Sequence, residues 1–183
     1  MIEPGPGVIL ISDPFLKDPN FMRTAVFLCE HNEEGSFGFV LNRPFEQRLD
    51  EFVPDLEGFT IPVYYGGPVQ PDTLHFLHNI PDLMPEAQKI FEDVYWGGDF
   101  REVIRLIKNR QLDLDNIRFF LGYSGWSEGQ LNEELEGKSW LTVTGTNKLV
   151  FGTETGEIWR SAVLQLEEQY HPIVHYPIDP QLN

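Results

Sequence analysis

Two short apolar segments, Ala25-Val26-Phe27-Leu28-Cys29 and Phe37-Gly38-Phe39-Val40-Leu41, flank an acidic glycine turn at Glu33-Glu34-Gly35. β-rich runs joined by so short a turn predict a hairpin, spanning about Arg23 to Asn42. Its first strand ends in Glu30, His31 and Asn32, and its second in Asn42, Arg43 and Pro44. Polar groups at both strand ends suit either a structural network or a binding site. They do not specify a reaction.

The rest of the chain reads in the same way. Val8 to Ser12 is a buried strand after a Pro/Gly lead-in, and Asp13-Pro14 and Asp18-Pro19 mark turns. Leu49 to Leu56 allows only a helical turn or two, since Pro54 interrupts it. Strands are predicted over Ile61–Tyr65, Thr73–His78, Ile90–Trp96 and Ile117–Leu121. In the second of these, Leu74, Phe76 and His78 share one face and His75 and Leu77 the other. Asp99 caps a helix over Phe100–Asn109, with Glu102 at its third position. Ser127 and Gln130 form a capping box for a helix ending near Gly137, with Trp126 stapled onto Leu131. Trp140–Thr144 and Leu149–Phe151 are read as a second hairpin. A last helix over Thr155–Gln169 places Ile158, Trp159, Ala162, Val163 and Leu166 together. The segment from His171, with prolines at 172, 177 and 180, is expected to be an extended or loose tail.

No repeat or linker divides these 183 residues, so a single domain, 1–183, is expected. Strands dominate the first half and mix with helices in the second, which argues an α+β fold with a mixed sheet. Thirteen basic against 29 acidic residues gives a net charge of −16. That charge repels phosphate backbones, so direct nucleic-acid binding is disfavoured. The single cysteine, Cys29, excludes an internal disulfide framework and reads as a small buried hydrophobe. The amino terminus has neither the basic region nor the apolar run of a signal peptide, and no segment has membrane-helix length. The expected location is the cytoplasm, without membrane association.

Glu30 and His31 could act as acid and base, or as metal ligands, if they shared a site. Neighbours on a strand point to opposite faces, which favours a polar network with Asn42 and Arg43 instead. Arg43 is the candidate for ligand contact, because its planar fork suits carboxylate or phosphate. His75 and His78 have HxxH spacing, but a strand puts them on opposite faces, and His171 and His175 lie in the tail. Neither pair supports zinc, and no metal or cofactor is expected. Gly122-Tyr123-Ser124-Gly125-Trp126 imitates a nucleophile elbow, but Trp126 stands where glycine is required. Gly66-Gly67-Pro68 and Gly97-Gly98-Asp99 lack the phosphate-loop and dinucleotide spacings, so turn and packing roles are expected.

The ordered landmarks Asp18–Thr24, Cys29–Asn32, Gly38–Pro44, Tyr65–Val69, Gly97–Asp99 and Gly122–Trp126, leading to Gly129-Gln130-Leu131, resemble the YqgE/AlgH family. The resemblance implies a mixed sheet curled into a small barrel-like core flanked by helices. It also implies the label of transcriptional regulator that members often carry, with no catalytic residues attached. With a charge of −16 that role is read as indirect. The expected function is therefore non-enzymatic, acting through a protein partner or small ligand at Glu30, His31, Asn32, Asn42 and Arg43. The alternative is a small hydrolase using Glu30 or His31 as base.

Overall fold

The computed structural model describes residues 1–178. Nine strands lie among them: β1 (Val8–Ser12), β2 (Ala25–Asn32), β3 (Gly35–Val40), β4 (Val63–Tyr65), β5 (Val69–His78), β6 (Gln88–Phe91), β7 (Val94–Trp96), β8 (Ile117–Ser127) and β9 (Trp140–Thr144). The helices are α1 (Leu49–Phe52), α2 (Phe100–Lys108), α3 (Gln130–Glu136) and α4 (Ile158–Val163), accompanied by several 3₁₀ segments. The strands form one strongly curled sheet, a half-barrel of order β6-β7-β5-β8-β3-β2-β1-β9. The α+β architecture expected from the sequence is the one observed.

β8 is the spine. Its first half pairs with β5 on one side and in parallel with β4 on the other, and its second half pairs with β3. β3 and β4 thus meet end to end along β8, where Val40 N–H donates to Gly66 O at 2.9 Å. The apolar run alone predicts a strand that ends at Leu121. It runs six residues further because Gly122 takes φ +67° and lets the ladder turn without breaking. Ser124 therefore lies mid-strand, buried, with its hydroxyl donating to Gly66 O at 3.0 Å. The strand-turn-helix context of a nucleophile elbow does not form.

The two sheet faces bury different side chains, as period-2 alternation requires. Ile11, Phe27, Phe39, Phe120 and Leu141 pack with Ile158, Trp159 and Ala162 of α4. Leu10, Val26, Val40, Trp126 and Trp140 pack against Leu131 of α3. There Glu134 accepts from Trp126 Nε1 at 2.8 Å and from Trp140 Nε1 at 2.7 Å, which clamps α3 to the sheet. A third cluster joins α2, through Val103, Leu106 and Ile107, to Phe76, Ile117 and Phe119.

Several local expectations change. Ile90–Trp96 is not one strand but the β6–β7 hairpin, because Glu92 adopts φ +46° and turns the chain. The second expected hairpin does not form: β9 pairs with β1 over five registers, and Lys148–Gly152 makes a π-helical turn burying Leu149, Val150 and Phe151. α3 starts at Gln130 rather than after Ser127, since Gly129 at φ +72° occupies the cap, although Ser127 N–H still donates to Gln130 Oε1. The last helix is shorter than predicted, with a 3₁₀ turn at Thr155–Glu157 before α4, yet all five of its expected core residues are buried. The segment from His171 is not extended at its start. A 3₁₀ helix covers Glu168–His175, Tyr176 stacks on Phe15 at 5.3 Å, and the Tyr176 carbonyl accepts from Arg23. Pro180 lies outside the described residues.

Candidate functional site

The hairpin forms as expected, with Asn32 opposite Gly35 and only Glu33 and Glu34 between them. Its polar residues are consequently split between its two ends. Glu30, His31 and Asn32 stand beside the turn, while Asn42 and Arg43 follow β3 at the far end, level with the start of β2. At about 3.3 Å per residue the two groups are separated by roughly 20 Å. The network joining Glu30 and His31 to Asn42 and Arg43, anticipated from the sequence, does not form.

At the far end the polar groups tie loops to the sheet. Asn42 Oδ1 accepts from Ala25 N–H at 3.0 Å and its Nδ2 donates to Arg23 O at 2.8 Å. Arg43 Nη2 donates to Met22 O at 2.6 Å, fastening the loop before β2. Arg43→Ala is predicted to lower stability by about 1–2 kcal/mol, the usual range for losing such a bond, in a urea titration. An unchanged midpoint would show that this bond is not structural.

At the turn end a β-bulge decides which group faces where. Register shifts between Leu28 and Glu30, with Cys29 as the extra residue. Phe27 pairs with Phe39 and Glu30 with Phe37, so all four lie on one face. Simple alternation would have put Glu30 with Leu28 on the opposite face; the bulge re-aims it. His31 then turns to the other side, where its Nδ1 meets Ser36 Oγ at 2.6 Å. Cys29 is buried among Phe27, Phe39 and their neighbours, and that burial, with Glu30 beside it, pushes its thiol well up.

The face that receives Glu30 opens into a cleft of about 520 Å³. Phe37, His75, Trp96 and Tyr123 line it, with Glu30, Asn32 and Glu34 from the hairpin end. These four rings stand in a circuit: Phe37 to Trp96 at 5.0 Å, Trp96 to His75 at 6.1 Å, His75 to Tyr123 at 5.9 Å and Tyr123 to Phe37 at 6.0 Å. The residues come from β3, β5, β7 and β8, which the curl of the sheet brings together. Asn32 orders the rim, donating to Glu30 Oε1 at 2.8 Å and accepting from Glu34 N–H at 2.9 Å. His75 Nε2 is buried without a hydrogen-bond partner among the described residues, and burial lowers the imidazole's proton affinity.

Of the five residues expected at a site, Glu30 and Asn32 line this cleft, whereas Asn42 and Arg43 lie far from it and His31 is turned to the opposite face. The aromatic wall was missed. Its one sequence signal was the alternation Tyr123, Gly125 against Ser124, Trp126, which marks two faces of a strand once that strand is known to reach Ser127.

His75 and His78 do fall on opposite faces of β5. His78 is fully buried, stacked on Tyr95 at 5.9 Å and 6.0 Å from Phe76. Its Nε2 donates to Gly97 O at 2.9 Å and its Nδ1 accepts from Ile80 N–H at 3.2 Å, an arrangement only the neutral ring can make. Burial lowers its pKa below the ordinary value, outweighing the opposite effect of the Gly97 bond. The unfolded chain therefore binds the proton more readily, so stability is full above about pH 6.5 and falls as pH drops through that value. We predict that the thermal midpoint of the wild type falls further than that of His78→Gln between pH 7.5 and 5.5. Titration of the surface carboxylates is common to both proteins; parallel curves would refute the assignment.

Among the described residues no group of three or more His, Cys, Asp and Glu side chains could hold a metal ion, and no helix is long and apolar enough to cross a membrane.

Fold and site together define an α+β protein with a half-barrel sheet and an aromatic cleft at one hairpin end. The AlgH-like family profile matches residues 9–171, and the chain belongs to that family. It is 41% identical to a UPF0301 protein of Chlorobium limicola, over 97% of this chain and 95% of the relative. A UPF0301 protein of Cytophaga hutchinsonii is 40% identical over 97% of this chain and 98% of its own. The solution structure of AlgH from Pseudomonas aeruginosa superposes with a TM-score of 0.69 at 27% identity, covering 97% and 98% of the two chains. A crystal structure from Corynebacterium diphtheriae shares the fold at a TM-score of 0.77 and 18% identity, covering 94% and 92%.

Proposed function

We propose that this chain, as a single domain, is a non-enzymatic cytoplasmic binding protein whose cleft takes a small ligand or a side chain of a partner protein. Its part in regulation, on this reading, is indirect, without direct contact to DNA. The observation that carries the proposal is the cleft: about 520 Å³, within the size range of ligand sites, walled by rings from four strands. Glu30 and Asn32 contact what binds there, and His31, Asn42 and Arg43 hold the hairpin that presents them. The net charge of −16 supports the exclusion of nucleic acid as a direct partner.

A thermal-shift screen over metabolites and nucleotides tests this, because a ligand that binds only the folded state raises the midpoint. The expected result is a stabilisation that disappears in Tyr123→Ala and survives in Arg43→Ala. No stabilising compound, or a shift indifferent to Tyr123→Ala, would remove the cleft as the site.

The 2.6 Å contact between His31 Nδ1 and Ser36 Oγ favours the rival reading, a hydrolase with His31 as base. Turnover of an ester panel that is abolished in both Ser36→Ala and His31→Ala would replace the binding proposal with that one.

A further inference from the structure

The cleft combines two features that together define a ligand class. Its wall is aromatic: planes of neighbouring rings meet at 60° for Phe37 and Trp96, 78° for Phe37 and Tyr123, and 87° for His75 and Tyr123, with His75 and Trp96 nearer parallel at 35°. Rings at such angles stand as walls about a shared space rather than as a flat stack, and ring faces carry partial negative charge. The rim is acidic: Glu30 and Glu34 border the cleft, no lysine or arginine lines it, and neither carboxylate has an ion-pair partner among the described residues.

We infer that the cleft is selective for organic cations, receiving an alkylated ammonium head over Trp96, Tyr123 and Phe37 while Glu30 and Glu34 supply the countercharge. The inference rests on the reading of the cleft as a binding site and gives that site its ligand chemistry. An alkylated ammonium spreads its charge over methyl groups, so it gains from ring faces without losing the strong hydration of a bare ammonium. An anion would meet two carboxylates and an aromatic wall whose ring faces carry partial negative charge. His75 does not oppose the cation, because burial favours its uncharged form. The net charge of −16 adds long-range attraction toward the rim.

Choline titrated into the full chain, followed by tryptophan fluorescence, tests the inference against its uncharged isostere 3,3-dimethylbutan-1-ol. Choline is expected to bind about tenfold more tightly than the isostere, the difference a desolvated cation–π contact provides. Trp96→Leu should weaken choline about tenfold, and Glu30→Gln with Glu34→Gln should weaken it and flatten its salt dependence. Calorimetry replaces fluorescence for Trp96→Leu, and an unchanged circular dichroism spectrum establishes that each variant is folded. A trimethyl-lysine peptide run beside choline separates the sources: tighter peptide binding identifies a modified partner protein, and tighter choline binding a free small molecule. Equal affinity for choline and the isostere would overturn the cation inference while leaving the cleft as an apolar site. Choline binding that ignores both sets of substitutions would overturn it too, and so would no choline binding at all. The cleft itself is then judged by the Tyr123→Ala comparison in the metabolite screen.

Discussion

Gly67→Ala is expected to leave little or no folded protein at 37 °C. A Cβ at this position would lie 2.2 Å from both the carbonyl carbon and oxygen of Tyr123 and 2.3 Å from Ser124 N. All three are backbone atoms of β8, the strand that joins both halves of the sheet, so none can swing aside as a side-chain tip would. The residue also holds φ +154°, a conformation that L residues rarely adopt. Overpacking and backbone strain each cost about 1–3 kcal/mol, and the sum is a large fraction of a small domain's stability. Gly156→Ala is the control, since its Cβ would meet nothing within 4 Å and its φ is unexceptional. Circular dichroism and soluble yield distinguish the two. A Gly67→Ala protein as stable as the control would mean that the Gly66-Gly67 turn and β8 do not approach this closely.

Phe39→Ala is the second large effect, expected at about 3–5 kcal/mol for a fully buried aromatic. Phe39 has no exposed surface, stacks on Phe120 at 5.0 Å, and lies 5.3 Å from His75 and 6.1 Å from Phe37. Truncation leaves a void directly beneath two rings of the cleft. Binding at the cleft should therefore weaken together with global stability, as should the near-ultraviolet circular dichroism of the aromatic cluster. Phe39→Leu should cost far less because most of the volume is kept. Phe45→Ala, at a site 37% exposed, should fall within about 1 kcal/mol of wild type. If urea titration gave Phe39→Ala and Phe45→Ala the same midpoint, the packing account of the sheet core would fail.

Legibility in the sequence followed the range of the interactions. The β2–β3 hairpin, α2 with its Asp99 cap, and the opposite orientation of His75 and His78 were readable because each depends on residues within a few positions of one another. Asp99 Oδ1 does accept from Arg101 N–H, and Glu102 turns out to bridge Arg105. The β9 expectation failed for a long-range reason. Trp140–Thr144 looked ready to pair with the next apolar run, but β1, more than a hundred residues earlier, takes that edge, leaving Leu149–Phe151 to bury themselves in a helical turn. The β6–β7 turn was missed because Glu92, unlike glycine, does not announce a positive φ.

Strand alternation alone dictates that Glu30 and His31 cannot face the same way, since neighbouring strand residues point to opposite sides. Which of them faces the cleft depends on how β2 is registered against β3. The Cys29 bulge exists relative to a partner strand, because an extra residue is extra only against the register of β3. Likewise Tyr123, Trp96, His75 and Phe37 are scattered over 87 positions and become a wall only through the curl of the sheet. Local sequence sets which side chains share a face of one strand. Hydrogen-bonded register between distant strands sets which faces meet, and in this protein the cleft depends on the second.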